Sequence, residues 1–421
     1  MLSAQIIGSI QFSNLALLVG YNPTIDSLTL DIKTALDRDD WAIFATLPNL
    51  RKLYLTSFYT DLDDTVLITI LSRCPRLESF RLECSHARYI KPTSDTSSMI
   101  ATYLPQRLAL REIVFFGHFL WDFVLSLLPL CPSLTKITIP LLDAISLDRL
   151  CQILGENKCP QLTILDFSRF HNGQSEIFAR IIHSCRHLAL KDVRLVWGFT
   201  GRDTLEALWQ HHGPSLEALR VTKCMDNVTS QDLAAVVAAC PRLKVLHLRN
   251  WSGNTALMAR DIVSTVSGGA IGAWSKTGWS CYNLVELRVT IAGICTTSQS
   301  GCPVHEDCQT LQREVYRLFS RLTHLRVLDV GCRSSIARVD LRQKGGLEWT
   351  LVSGMGQLHT LRGLEELSAR HMENGVGVPE LEWMKEHWPR LNCVEGLITG
   401  RVKENEVETW LRERWPTLSW S

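Results

Sequence analysis

Apolar residues recur along the chain in one repeated frame that contains two periodicities. The frame is Cys-Pro-x-Leu-x-x-Leu-x-Leu, with other apolar residues allowed, and it is seen in CPRLESFRL, CPSLTKITI, CPQLTILDF and CPRLKVLHL. The Leu-x-Leu alternation predicts a short strand with both leucines on one face. Most strands are preceded by a segment with helical spacing, such as DDTVLITILSRC or TSQDLAAVVAAC, and the proline of the frame ends that helix. The pattern predicts repeated helix–turn–strand segments.

Thirteen such repeats are recognisable, most of them about 27 residues apart. Three successive spacings of 41, 41 and 39 residues indicate insertions. The first apolar positions of the repeats are Ile25, Leu50, Leu77, Leu110, Leu134, Leu162, Leu190, Leu216, Leu243, Leu284, Leu325, Leu364 and Leu391. One repeat cannot bury its apolar face alone, whereas stacked repeats share a continuous core. The predicted fold is therefore an α/β leucine-rich-repeat horseshoe solenoid, with parallel strands on the concave face and helices on the convex face.

The repeat frame also sets the domain organisation. We expect one solenoid over residues 25–400, an N-terminal capping segment over 1–24 and a C-terminal capping helix over 401–421. The insertions are expected near 251–280, 291–312 and 331–360.

Fourteen cysteines are present, and six of them have a structural explanation in the frame. Four occupy the same slot three residues before the first strand leucine, Cys281 occupies it in a repeat with an insertion, and Cys185 falls close to it. The four are Cys74, Cys131, Cys159 and Cys240. A free cysteine behaves as a small buried hydrophobe, which suits a tight junction between helix and strand. Disulfide bonds are not expected for this set.

Composition excludes several classes of function. The chain has 44 basic and 43 acidic residues, a balance that argues against nucleic-acid binding. No stretch of 18 apolar residues and no secretory signal is present, so no membrane span and a cytoplasmic or nuclear location are expected. The GxxxxGK[ST], GxGxxG, GxSxG and HExxH motifs are absent. Neither an enzyme activity nor a cofactor is expected.

One set of residues in an insertion has a composition that could bind a metal. Cys295, Cys302, His305 and Cys308 have the spacing C-x6-C-x2-H-x2-C. Three thiolates and an imidazole could form a closed tetrahedral zinc site. The spacing is not a common zinc frame, and the alternative is an exposed insertion with incidental cysteines.

The later repeats resemble a known family. The segments GWSCYNLVELRVTIAGI, LQREVYRLFSRLTHLRVLDVG, HWPRLNCVEGL and WLRERWPTL resemble the C-terminal half of fungal F-box leucine-rich-repeat proteins, which have ribonuclease-inhibitor-like, cysteine-containing repeats. The resemblance implies a substrate receptor of an SCF-type ubiquitin ligase, in which the repeats hold a target and the F-box docks a Skp-type adaptor. The 24 residues before the first strand do not read as an F-box, so the adaptor is expected only if an F-box lies upstream.

The residues between the strand leucines predict the binding face. Several of these residues in the seventh to tenth repeats are basic. Two tryptophans are expected in the turns that follow, with a lysine beside them. The predicted partner-binding residues are Arg194, Trp197, Arg220, Lys223, His247, Arg249, Trp251 and Arg288. Strands about 4.8 Å apart would align the basic residues in a continuous stripe. The functional interpretation is a site for an acidic or phosphorylated protein segment.

Two alternatives stay open at this point. Four acidic residues close in sequence could neutralise the arginines and leave an ordinary solvated face: Asp192, Glu217, Asp226 and Glu286. A scaffold or GTPase-regulating protein with no link to ubiquitin is also compatible with the pattern.

Overall fold

The structure is a computed structural model, and it describes most of the repeat region. The described residues are 2–6, 21–22, 24–32, 43–44, 47–57, 64–84, 96–116, 121–138, 144–167, 175–224, 228–249, 257–267, 279–294, 305–331, 346–370, 376–396 and 404–420. The chain divides into an N-terminal body (residues 1–173 and 180–193) and a C-terminal body (residues 174–179 and 194–421).

Parallel strands alternate with helices in the N-terminal body. Each strand is hydrogen-bonded to the next one along the chain. The strands are β1 (Leu2–Ile6), β2 (Ile25–Ile32), β3 (Lys52–Ser57), β4 (Ser79–Cys84), β5 (Glu112–Phe116), β6 (Lys136–Thr138) and β7 (Ile164–Phe167). The helices are α1 (Asp64–Arg73), α2 (Thr96–Tyr103), α3 (Trp121–Leu127) and α4 (Ala144–Gly155). Two further elements contain residues of both bodies, namely α5 (Ser175–Ser184) and β8 (Asp192–Thr200).

The C-terminal body repeats the same arrangement. Its strands β9 (Ala218–Cys224), β10 (Val245–Arg249), β12 (Glu286–Val289), β14 (Val327–Asp329), β15 (Glu366–Ser368), β16 (Cys393–Glu395) and β17 (Ser419–Trp420) pair in this order, all parallel. Its helices are α6 (Arg202–His212), α7 (Ser230–Ala239), α8 (Ala259–Ser267), α9 (His305–Phe319), α10 (Val378–His387) and α11 (Glu404–Arg414). A 3-10 helix over Met355–Thr360 replaces the α-helix of one repeat.

Every one of the thirteen predicted repeat positions lies at the start of a strand or just before one, from β2 to β16. Alternate strand residues such as Leu53, Leu82 and Leu246 are at most 1% exposed, and they share a core with the apolar faces of the helices. The predicted leucine-rich-repeat α/β solenoid is therefore confirmed.

Each end of the chain contributes a strand to the sheet. The predicted N-terminal capping segment contributes a strand, because β1 pairs with β2 through Ala4 and Leu28. The C-terminal segment contains the expected helix, α11, but it continues into β17, which pairs with β16. Among the described residues, the sheet therefore extends one strand beyond the recognisable frame at each end.

The junction cysteines lie where the frame predicts, and all six are buried and free of disulfides. The slot carbonyl accepts a hydrogen bond from the strand leucine three residues later, as from Leu134 to Cys131 and from Leu162 to Cys159, both at 3.1 Å. Burial raises the pKa of the Cys159 and Cys240 thiols to about 12. The thiols are therefore protonated at neutral pH and act as packing groups.

The slot side chain also links successive repeats. The Cys74 thiol donates to the Phe44 carbonyl at 3.6 Å, and the Cys159 thiol donates to the Leu128 carbonyl at the same distance. In a later repeat Trp388 occupies the slot, and its Nε1–H donates to the Leu358 carbonyl at 3.0 Å. In all three cases the acceptor lies three residues before the slot of the preceding repeat. We call this bond the junction bond.

The insertions contain regular structure of their own. Within the first one, β11 (Leu257–Met258) precedes α8, and it pairs in parallel with β13 (Ile291–Ala292), which follows β12 directly. The Met258 amide donates to Ser230 Oγ at 2.6 Å, which ties β11 to the start of α7. Helix α9 begins inside the second predicted insertion, and the region expected as the third contains the 3-10 helix.

No helix of the described chain is long and apolar enough to cross a membrane.

Candidate functional site

The predicted basic residues of the C-terminal body lie on neighbouring strands of one sheet. Arg220 of β9 is in register with His247 of β10, and His247 is in register with Arg288 of β12. Arg194 lies on β8, the strand beside β9. These residues alternate with fully buried ones, because Leu219 and Val221 flank Arg220, and Leu246 and Leu248 flank His247. Since successive strand residues point to opposite faces, Arg220, His247 and Arg288 point to the face of the sheet opposite the helices. We call it the open face.

Of the other four predicted residues, three lie in strands and one lies outside the described residues. Trp197 and Lys223 were expected in turns, but strands β8 and β9 extend to Thr200 and Cys224 and include them. Arg249 is the last residue of β10. Trp251 lies outside the described residues.

His247 differs in charge from the expectation. Burial lowers its pKa to about 4, with the Arg288 and Arg220 charges acting in the same direction against the hydrogen bond to Glu286. Its Nε2 lies 2.9 Å from Glu286 Oε2, and its side chain is 18% exposed. His247 is therefore neutral at physiological pH, which corrects the prediction of an unbroken row of cations.

Arg288 is the centre of an ion-pair network. Its guanidinium lies 3.9 Å from a Glu286 oxygen, 4.0 Å from an Asp329 oxygen and 3.3 Å from a Glu366 oxygen. Asp329 is in register with Arg288 on the next strand, and its side chain is only 5% exposed. Arg288 thus faces carboxylates from three different strands, and its charge is shared among them.

The acidic residues that could neutralise the arginines have several different partners. The Glu217 carboxylate accepts a hydrogen bond from Lys244 Nζ at 2.7 Å, and Glu286 contacts His247 and Arg288. Asp226 lies outside the described residues, and Asp192 begins β8 two residues before Arg194. Lys244 therefore engages one of the four neighbours, and another, Glu286, neutralises the predicted arginine Arg288.

Two acidic residues of the open face were not predicted from the sequence. Glu366 reaches Arg288 across 78 residues of sequence, and Glu395 forms a 2.8 Å ion pair with Arg370. Both occupy outward positions of the repeat frame on β15 and β16, so the frame could have located them.

The open face of the N-terminal body has a different character. Tyr54 Oη donates to Glu83 at 2.6 Å, Arg81 forms an ion pair of the same length with Glu83, and the Arg81 guanidinium lies 4.5 Å from the centre of the Tyr54 ring. Lys136 and Glu112 form a 2.5 Å ion pair on neighbouring strands. Acidic and basic groups are interspersed over these strands, since Arg81 pairs with Glu83 and Lys136 pairs with Glu112.

The candidate metal ligands are only partly described. Cys295 and Cys302 lie outside the described residues, His305 begins α9, and Cys308 is a buried free cysteine in the same helix. No cluster of three or more potential ligands occurs within the described part of the chain. The zinc site stays a prediction.

The parallel strands, the buried alternate leucines and the repeated junction define a leucine-rich-repeat fold. No family model matches the chain, and no curated protein matches it. Among solved structures, the chain is similar to a leucine-rich-repeat protein of Leptospira interrogans, with 13% identity, a TM-score of 0.41, and 99% of this chain and 100% of that one covered. An internalin of Listeria monocytogenes has 12% identity and a TM-score of 0.39 over 86% of this chain and 83% of that one. The complex of Rad7 and Elc1 from yeast gives 13% identity and a TM-score of 0.42 over 98% and 88%.

Proposed function

We propose that this chain is a non-catalytic protein-interaction module whose C-terminal body binds an acidic or phosphorylated segment of a partner protein. The proposal is supported mainly by the in-register placement of Arg220, His247 and Arg288, with Arg194 on the strand beside β9. Repeat proteins present a broad, regular sheet surface that suits extended partners.

The chemistry of arginine suits this role. A guanidinium donates through two parallel N–H groups to a carboxylate or phosphate, which gives both direction and strength. The arginine side chains emerge from strands, so their positions are fixed by a hydrogen-bonded backbone. The neutral His247 between Arg220 and Arg288 lowers the electrostatic repulsion within the group.

The proposed site is tested with a labelled peptide that alternates phosphoserine and glutamate, measured by fluorescence anisotropy. The double substitution Arg220→Ala and Arg249→Ala removes two of the guanidinium groups that the repeat frame predicts for this site. Each charge-assisted contact is worth roughly 1.5–3 kcal/mol when desolvated, so we expect affinity to fall about tenfold or more.

The matched control removes the same charge elsewhere. Arg242 and Arg362 are exposed residues in turns that precede strands, and their double substitution by alanine should reduce affinity less than about threefold through the general field alone. If the Arg220/Arg249 variant binds the peptide as well as the wild type does, the proposed site is wrong.

We further propose that the partner is a target of a ubiquitin ligase, with this chain as the receptor. The support is the resemblance of the repeats near Cys281, Leu325 and Leu391 to F-box leucine-rich-repeat proteins. Recovery of a Skp-type adaptor with the full-length chain after tandem affinity purification supports this role. Stable partners without any adaptor would contradict it and favour a scaffold with no link to ubiquitin.

A further inference from the structure

The open face of the C-terminal body carries basic residues on its first strands and acidic residues on its later strands. Two arginines occupy outward positions of its first strands, Arg194 of β8 and Arg220 of β9. Carboxylates occupy the outward positions of the later strands, namely Glu286 of β12, Asp329 of β14, Glu366 of β15 and Glu395 of β16. We call these sets the basic end and the acidic end.

The boundary between the two ends is close to neutral. His247 carries no charge at physiological pH, and its ring contacts Glu286 at 2.9 Å. Arg288 lies within 4.0 Å of Glu286, Asp329 and Glu366, so the one arginine among the outward positions of β12 to β16 faces three carboxylates. Arg370, which follows β15, pairs with Glu395 at 2.8 Å. Even with Arg370 counted, the acidic end has an excess of carboxylates.

The acidic end also contains a buried serine hydroxyl that could bind a group of the partner. Ser368 lies in register between Asp329 and Glu395 and is 6% exposed. Its hydroxyl has no hydrogen-bond partner among the described residues. A buried hydroxyl is more stable when it is hydrogen-bonded, so a donor or acceptor from a bound chain would complete this position.

We infer that the partner segment is bipolar, with an acidic part over the basic end and a basic part over the acidic end. This inference rests on the proposed function and adds the sequence character of the bound segment. The two ends are separated across the strands, not along them, so the segment crosses the strands. Complementary charges at both ends also fix its direction, because the reversed segment would place like charges together.

The strand order gives the length of the segment. From β9 to β15 there are four strand steps through β10, β12 and β14. At about 4.8 Å per step, the span is about 19 Å. An extended chain advances about 3.3 Å per residue, so the acidic and basic parts of the partner are centred about six residues apart.

The test compares three labelled peptides by fluorescence anisotropy with the full-length chain. The bipolar peptide is EEEEGSKKKK, whose charge centres are six residues apart as the span requires. The mixed peptide EKEKGSEKEK has the same composition, and EEEEGSGSGS has only the acidic part. We expect the bipolar peptide to bind about tenfold more tightly than the mixed peptide at about 0.15 M ionic strength.

The substitution Glu366→Lys reverses one charge of the acidic end, and the 48% exposure of this side chain allows it without loss of the fold. It should reduce the preference for the bipolar peptide to less than about threefold and leave binding of EEEEGSGSGS equal or tighter. The control is Glu382→Lys, the same change at an exposed position of α10, which should leave the preference intact.

The outcomes separate this inference from the proposed function. If EEEEGSGSGS binds in an Arg220-dependent manner but the bipolar and mixed peptides bind equally, the bipolar inference is wrong and the basic site stands. An unchanged preference in the Glu366→Lys variant also overturns the inference. If none of the peptides binds, both proposals fail.

Discussion

The neutral state of His247 predicts a specific dependence of stability on pH. Its pKa falls from 6.5 to about 4, first because the ring is buried and second because Arg288 and Arg220 lie nearby. Between these two pH values the unfolded chain binds a proton at this position and the folded chain does not. Acid therefore favours unfolding in this range, and the stability from the neutral ring is complete above about pH 6.5 and lost as the pH falls toward 4.

The magnitude follows from the two pKa values. A fall from 6.5 to about 4 corresponds to about 3 kcal/mol of unfolding free energy between the two limits. The substitution His247→Gln keeps a neutral polar group beside Glu286 but removes the titration. The variant should therefore lose about 3 kcal/mol less than the wild type when the pH is lowered from about 7 to about 4.

The assay is denaturant unfolding followed by tryptophan fluorescence at both pH values. Carboxylates elsewhere also titrate in this range, so the informative quantity is the difference between variant and wild type. The control His324→Gln removes an exposed histidine and should behave as the wild type does. The ring signal of His247, assigned by its loss in the variant, gives the pKa directly by NMR. Protonation of that ring near pH 6.5, or equal acid sensitivity of His247→Gln and wild type, would refute the reasoning.

Two further predictions follow from the packing of the repeats. The junction cysteines should not react with a disulfide reagent in the native chain and should react after unfolding, because burial raises their pKa and excludes the reagent; fast native labelling, mapped by mass spectrometry, would contradict their packing role. Gly396→Ala should destabilise the C-terminal body by about 1–3 kcal/mol in thermal unfolding, because Gly396 has φ +70° and an added Cβ would lie 2.5 Å from the Arg370 Cα atom. Gly356→Ala, with open space around the added carbon, is the control and should change little; equal effects of the two substitutions would show that the contact is unimportant.

The repeat frame carries most of the information about the fold, because each strand is defined locally. A Leu-x-Leu pair behind a Cys-Pro junction specifies both the strand and the buried face, and β2 to β16 lie where the frame places them. The end strands β1 and β17 lack that signal. LSAQI has no Leu-x-Leu, and only two residues of β17 pair with β16, so their position depends on a neighbouring strand that offers free hydrogen-bonding groups.

The site could be predicted in position but not in charge. Counting positions within the repeat frame places Arg220, His247 and Arg288 side by side, because the frame sets the register of neighbouring strands. The protonation of His247 depends on burial and on charges from two other strands, which no local pattern contains. The contact of Arg288 with Glu366 likewise joins residues 78 positions apart. The ends of β8 and β9 were also missed, because nothing in the sequence marks the point where those strands stop.

The junction bond has a consequence for biosynthesis. The Phe44, Leu128 and Leu358 carbonyls each accept a hydrogen bond from the repeat that follows, through Cys74, Cys159 and Trp388. Each of these carbonyls also accepts a backbone N–H of its own repeat, so the side chain of the next repeat supplies its second hydrogen bond. A chain that emerges from the ribosome N-terminus first exposes these acceptors in the order in which their donors are made. At these three junctions each newly synthesised repeat adds a hydrogen bond to the one before it, so the bond forms in the N- to C-terminal direction of synthesis.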